Sequence, residues 1–219
     1  MNKIIVEVSI GELLDKISIL EIKQEKIKDP EKLKFINNEH SILKDQLKKN
    51  VKSDDKLNKM YLSLKEINAK LWVIEDDKRN CEKNKDFGER FIKLSRDVHF
   101  LNDDRAKIKL EIKKDKIKNP EKLKFINDEY LILNNQLKEN INLNDKLNSL
   151  YDELKAINSK LWDIEDDKRN CEKNSDFGEN FIKLSRDVHF LNDDRAKIKL
   201  KINDLTGSKI KEIKEYTKY

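Results

Sequence analysis

Glycine and proline are nearly missing from this sequence: 219 residues contain four glycines and two prolines. So little punctuation excludes a turn-rich β architecture and points to a few long elements joined by short turns. Cysteine is as scarce. The two present, Cys81 and Cys171, occupy one position of an internal repeat, so they are one cysteine seen twice and not a disulfide framework. Free thiols of that kind suit a reducing cytoplasm. Of the three histidines, His40, His99 and His189, none has Cys or His at metal-ligand spacing. No apolar run approaches the roughly 20 residues of a membrane span. The opening Met1-Asn2-Lys3-Ile4-Ile5-Val6-Glu7 meets an acid before any signal-length apolar stretch, so a soluble, cytoplasmic protein without a cofactor is expected.

Charge is what the sequence has in abundance. Charged residues make up 42% against 37% hydrophobic, and mean hydropathy is −0.87, a composition that suits helices with a thin apolar core. The 48 basic and 43 acidic residues nearly cancel, leaving +5. Mixed charge of this sort argues against the concentrated basic face that nucleic-acid binding needs.

The chain repeats itself. Leu20-Glu21-Ile22-Lys23 returns as Leu110-Glu111-Ile112-Lys113, and Lys70-Leu71-Trp72 as Lys160-Leu161-Trp162. Setting residues 20–109 on 110–199 leaves about three quarters of positions identical, which marks an internal duplication. Two repeat units are expected, 1–109 with the N-terminal start and 110–219 with the C-terminal tail.

Helix signals recur in both copies. Asp29-Pro30-Glu31 and Asn119-Pro120-Glu121 put a capping side chain before a proline at the first helical position, where its missing N–H costs nothing. Leu33, Ile36, His40, Leu43 and Leu47 then form one stripe, matched by Leu123, Ile126, Tyr130, Leu133 and Leu137. Leu57, Met60, Leu64, Ile67, Leu71 and Ile74 form a heptad-like seam that continues through Lys78 and Cys81. Asp86-Phe87-Gly88-Glu89 reads as a capping box opening a new helix with Phe91, Leu94, Val98, Leu101, Arg105, Ile108 and Ile112 on its seam. Ser9-Ile10-Gly11-Glu12 gives the same signal for the first helix, and Thr206-Gly207-Ser208 a helix stop. Ile4 to Val8, rich in β-branched residues, is a possible short strand. The second copy has His99-Phe100-Leu101-Asn102 where the first has its capping start. The last helix of copy one is therefore predicted to run into copy two without a stop, from about Phe87 to Ile117. The expected fold is all-α, with elongated antiparallel hairpins in a coiled-coil-like bundle and two tandem repeats sharing a continuous central helix.

Few residues suggest chemistry. Glu75-Asp76-Asp77 and Asn102-Asp103-Asp104, with their copies at Glu165-Asp166-Asp167 and Asn192-Asp193-Asp194, could gather carboxylates around a divalent cation. Neighbouring helical residues point about 100° apart, so such runs are mostly solvated faces. Cys81 continues an apolar seam and reads as a small buried hydrophobe, and His40 as a ring filling space on a stripe.

Arginine is the more informative residue. The seven arginines, Arg79, Arg90, Arg96, Arg105, Arg169, Arg186 and Arg195, all fall in the second half of a repeat, near the acidic runs and the two tryptophans, Trp72 and Trp162. A guanidinium's planar fork and its stacking on aromatic rings are not available to lysine. Folding the hairpin about residue 85 sets Arg96 level with Trp72 to Glu75, and Arg186 level with Trp162 to Glu165. Arg96 is accordingly expected to bridge Glu75 or Asp76 and stack on Trp72 as a structural clamp, with Arg186, Trp162, Glu165 and Asp166 as the copy. The rival reading makes Arg79, Arg96 and Arg105, with Arg169 and Arg195, an anion site. Arg105, on the seam, must be paired or reach the surface.

Val8-Ser9-Ile10-Gly11-Glu12-Leu13-Leu14-Asp15-Lys16-Ile17-Ser18-Ile19-Leu20-Glu21-Ile22-Lys23, Leu71-Trp72 with Ile74-Glu75-Asp76-Asp77, Asp86-Phe87-Gly88 and Asn102-Asp103-Asp104-Arg105 resemble motifs of a family of small bacterial helical proteins, a domain of unknown function. Gly207-Ser208 and Ile210 resemble that family's tail. Its members carry one unit, and this chain carries two. The resemblance implies no activity beyond a link to glycan assembly. A non-enzymatic interaction or assembly role is the leading expectation, through a protein partner or self-association. A metal-dependent phosphohydrolase on helix-borne carboxylates and a weak anion or nucleic-acid binder are the alternatives.

Overall fold

A computed structural model describes residues 8–116 and 144–208. Every element among these residues is a helix: α1 (Ile10–Lys26), α2 (Pro30–Asn50), α3 (Asp55–Asn84), α4 (Glu89–Lys116), α5 (Asp145–Asn174) and α6 (Glu179–Leu205). The possible strand falls outside them except for Val8, as do the second proline-capped start, its stripe and the tail after Ser208.

The caps explain most boundaries. Ser9 accepts from the Glu12 N–H at 3.2 Å, and Asp29 from those of Glu31 and Lys32 at 2.9 and 3.3 Å, with Pro30 opening α2. Asp54 and Asn144 cap α3 and α5 through the N–H groups of Leu57 and Leu147, at 2.8 and 2.9 Å. One expected cap differs. Asp86 is not the residue that opens α4: its carboxylate accepts the Gly88 N–H at 3.3 Å inside the turn, and the helix begins at Glu89. The copy behaves alike: Asp176 accepts the Gly178 N–H at 3.2 Å, and Gly178, the N-cap of α6, has no side chain to cap with. The cause lies one residue earlier, where Lys85 and Ser175 adopt left-handed φ of 53° and stop α3 and α5 as a glycine would. At the other end of the chain, Gly207 (φ 63°) closes α6, with Ser208 N–H donating to the Asn203 carbonyl at 2.8 Å.

α4 is one helix of 28 residues, so the copy junction at 109/110 lies inside it, as the missing stop signal predicts. The compact units are accordingly not the two sequence copies. One consists of Met1–Trp72 with Leu101–Asn142, the other of Val73–Phe100 with Leu143–Tyr219.

In the first unit, α1 and α2 pack on each other, and Leu14, Leu57, Leu64 and Ile112 form a core extended by Ile10, Met60 and Ile108. Leu64 and Ile112 are fully buried, each worth about 1.5–3 kcal/mol of transfer energy. α1 approaches α4 so closely that a Cβ on Gly11 would lie 2.5 Å from the Lys109 carbonyl oxygen. Backbone cannot yield there as a side-chain end could. Gly11→Ala, which in an open helix would gain about 1 kcal/mol of propensity, is expected to destabilise this unit by about 1–3 kcal/mol. Thermal unfolding of the variant measures it, and a raised Tm would show that α1 does not seat against α4 in this way.

In the second unit, α5 and α6 form a hairpin with Cys171, Phe181 and Leu184 at its core and Ile92, Ile164 and Phe177 around them. The α3 end and the α4 start complete it. Both cysteines are free and buried, and burial pushes both thiols upward, consistent with small apolar packing groups.

Candidate functional site

The arginines have partners the sequence did not pair with them. Arg96, on α4, donates from Nε and Nη2 to Glu172 on α5 at 2.9 and 2.6 Å, and its guanidinium lies 4.3 Å from the centre of the Phe177 ring. Arg186, on α6, donates to Glu82 on α3 at 2.8 and 2.6 Å and lies 4.4 Å from the Phe87 ring centre. The expected bridge to Glu75 or Asp76 with stacking on Trp72 is thus corrected: the clamp is real in form but joins the two copies, and phenylalanine supplies the ring. Sequence spacing could not choose between the near hairpin and its copy, and it also missed the position, since Glu172 is the copy of Glu82, seven residues beyond Glu75.

Arg96, Phe87 and Glu82 recur 90 positions later as Arg186, Phe177 and Glu172. Each arginine meets the acid and ring of the opposite copy. Reciprocal contacts of this kind define an isologous interface, related by a pseudo-two-fold axis inside the second unit. The histidines follow the same rule, His99 Nδ1 lying 3.8 Å from Glu165 and His189 Nδ1 3.8 Å from Glu75. Lys78 and Lys168, each 2% exposed, are buried beside these acids. Lys168 Nζ reaches Glu165 at 3.3 Å. Burial pulls the Lys168 ammonium below its ordinary range, Glu165 opposes this and the nearby Lys78 adds to it. The sequence pointed at Lys78 only through its place on an apolar seam.

The symmetry is incomplete. Arg79, 4% exposed, donates from both terminal nitrogens to Asp193 at 3.0 and 2.8 Å. Its copy Arg169 is exposed beside Asp166 at 3.5 Å. Arg105 belongs to the first unit, where it meets the buried Asp15 through two hydrogen bonds of 2.8 and 2.5 Å, so the seam arginine is paired. Asn68 also donates to Asp15, at 2.9 Å, and to Ser18 at 2.8 Å. Arg195, the copy of Arg105, is exposed. Arg79, Arg96 and Arg105, the three central candidates for an anion site, are each held by both oxygens of a carboxylate. Among the described residues, no three or more His, Cys, Asp or Glu side chains are grouped to hold a metal ion.

Trp72 and Trp162 do not share an environment. Trp72 is half-buried, while Trp162 is 73% exposed and lines an open groove of about 490 Å³ with Tyr151, Leu154, Lys155 and Asn158.

Two carboxylates make acid sensitivity explicit. Burial alone would raise Glu75, but Lys78, His189 and Arg79 outweigh it and hold the group at about 2. Glu21 is likewise raised by burial and lowered further by Lys44, Lys65 and Tyr61, to about 2. A carboxyl depressed in the folded state binds fewer protons than in the unfolded chain, so its stabilisation is complete above about pH 4.5 and is lost as pH falls towards 2. The urea midpoint is therefore expected to be flat from pH 7 to 5 and to fall steeply below 4.5, with a shallower fall in Glu75→Gln. A midpoint that rises on acidification would contradict the assignment.

No family model matches the chain, and neither a curated protein nor a solved structure does. Among the described residues, no helix is long and apolar enough to cross a membrane.

Proposed function

We propose that the chain is a non-enzymatic helical interaction or assembly protein of the cytoplasm, presenting a helix face to a protein partner. The observation that carries this reading is the open face of α5 around Trp162. Tyr151 and Trp162 are 44% and 73% exposed, although the same two positions of the first copy, Tyr61 and Trp72, are both partly buried. A large aromatic left in water beside an apolar groove is the kind of anchor that protein interfaces bury. Two of the carboxylates a phosphohydrolase would use face cations: Asp193 is held by Arg79, and Glu75 lies beside Lys78. The resemblance to small bacterial helical proteins adds glycan assembly as the process in which such a partner would act.

Affinity capture from an extract of the source organism tests the reading. The wild-type chain is expected to retain a discrete partner that Trp162→Glu loses and Trp72→Phe keeps. Equal recovery with Trp162→Glu, or no partner at all, would count against this face as the interface.

A further inference from the structure

The first copy shows what its own version of the open face is built to hold. Leu64, Asn68, Lys65 and Arg105 correspond to Leu154, Asn158, Lys155 and Arg195, 90 positions on. In the first unit all four face α1. Leu64 is fully buried in the cluster with Leu14. Asn68 donates to Asp15 and Ser18, Arg105 grips Asp15, and Lys65 reaches Glu21 at 3.0 Å and Glu25 at 3.2 Å.

In the second copy the receiving residues persist, and among the described residues no helix of α1 type meets them. Leu154 is only half-buried, and Lys155, Asn158 and Arg195 are exposed, with no hydrogen bond or ion pair among the described residues. The residues aligned with α1 are the end of α4: Asp15 aligns with Arg105 and Ser18 with Ile108, so the acid and the hydroxyl are gone. Residues 117–142 carry the copy of the α2 sequence, and the tail Lys209–Tyr219 carries four lysines against two glutamates, the wrong charge for a face offering Lys155 and Arg195. A second molecule's α1 is already committed to its own Arg105 and Asn68. Neither residues 117–142 nor the tail repeats the aspartate and serine pair of Asp15 and Ser18, so by sequence the match to α1 points outside this chain.

We infer that the α5 face around Leu154, Asn158 and Trp162, with Arg195, is a docking site for an amphipathic helix of α1 type supplied by a different polypeptide. Such a helix carries a small residue for close approach, aliphatic residues in the places of Leu14 and Ile17, an aspartate for Arg195 and Asn158, a serine one turn later, and an acid for Lys155. The inference rests on the interaction reading above and names the partner's chemistry.

A labelled peptide with the sequence of residues 8–28 serves as the probe, titrated with the full chain and read by fluorescence anisotropy. Saturable binding is expected, weakened about tenfold or more by Arg195→Ala in the chain and equally by alanine in place of Asp15 in the peptide. Because Arg195 is exposed and makes no bond among the described residues, that variant is expected to keep the fold, which circular dichroism checks. Three results would overturn the inference: no saturable binding, equal affinity for wild type and Arg195→Ala, or loss of binding only on Arg105→Ala, which would place the peptide in the first unit. Sedimentation showing a dimer that Trp162→Glu dissociates would overturn it too, since a second copy would then own the face. If the peptide fails while the Trp162-dependent capture succeeds, the helix chemistry is wrong and the interaction role stands. If both fail, both fall.

Discussion

Asp15→Ala is expected to be the most damaging single substitution in the first unit, costing about 3–5 kcal/mol. Asp15 is 4% exposed and accepts two bonds from Arg105 and one from Asn68. Truncation leaves a part-buried guanidinium and a buried carboxamide facing a methyl group, and Asn68 at 5% exposed has no way out to water. For a chain of this length each kcal/mol corresponds to about 2–4 °C in Tm, so a fall of about 10 °C is anticipated. In a Trp162→Phe background, Trp72 fluorescence follows the unit that contains it. The double variant Asp15→Leu with Arg105→Leu removes both charges together and should recover most of the loss. A single-variant loss below about 1 kcal/mol would mean that the pair contributes little beyond its own desolvation cost.

The second large effect is expected at the reciprocal clamp. Glu82→Ala or Arg186→Ala should each cost about 1–2 kcal/mol, since the interaction is bidentate and stacked on Phe87, while Arg186, 38% exposed against 11% for Glu82, is partly screened by solvent. Glu82→Arg should do worse, and combining it with Arg186→Glu should restore much of the stability. The pseudo-two-fold adds a stronger demand. A double-mutant cycle on Arg96 and Glu172 must give the same coupling as one on Arg186 and Glu82, to within about 0.5 kcal/mol. Unequal couplings would show that the two contacts are similar in outline and different in environment.

These two sites also show how far the sequence could be read. The apolar seams, the Ser9 and Asp29 caps, the glycine stop at Gly207 and the uninterrupted α4 all rest on local chemistry, and each is found where the residues place it. The stops at Lys85 and Ser175 were not legible, because nothing in a lysine or a serine announces a left-handed φ. Seam position said that Arg105 needed a partner but not that Asp15, 90 residues away, was the one. The Arg96 partner was misassigned for a different reason. Duplication supplies a near and a far copy of every acid, and the acid used is also at another position, Glu172 being the copy of Glu82 and not of Glu75 or Asp76. A signal was present: Glu82, Phe87 and Arg96 are duplicated as a set, which is what a self-complementary interface requires. The open face around Trp162 became visible only when the burial of two nearly identical hairpins could be compared, since Trp72 and Trp162 sit in the same Lys-Leu-Trp context.

Reciprocity in the clamp has a consequence for how the chain holds together at low abundance. A polypeptide with one copy of the repeat would have to find a second molecule to match Arg96 with Glu172, and its association would fade on dilution. Tethering both halves on one chain gives each the other at an effective concentration of the order of millimolar, whatever the amount of protein. Duplication thus converts an equilibrium set by expression level into one set by covalent connectivity.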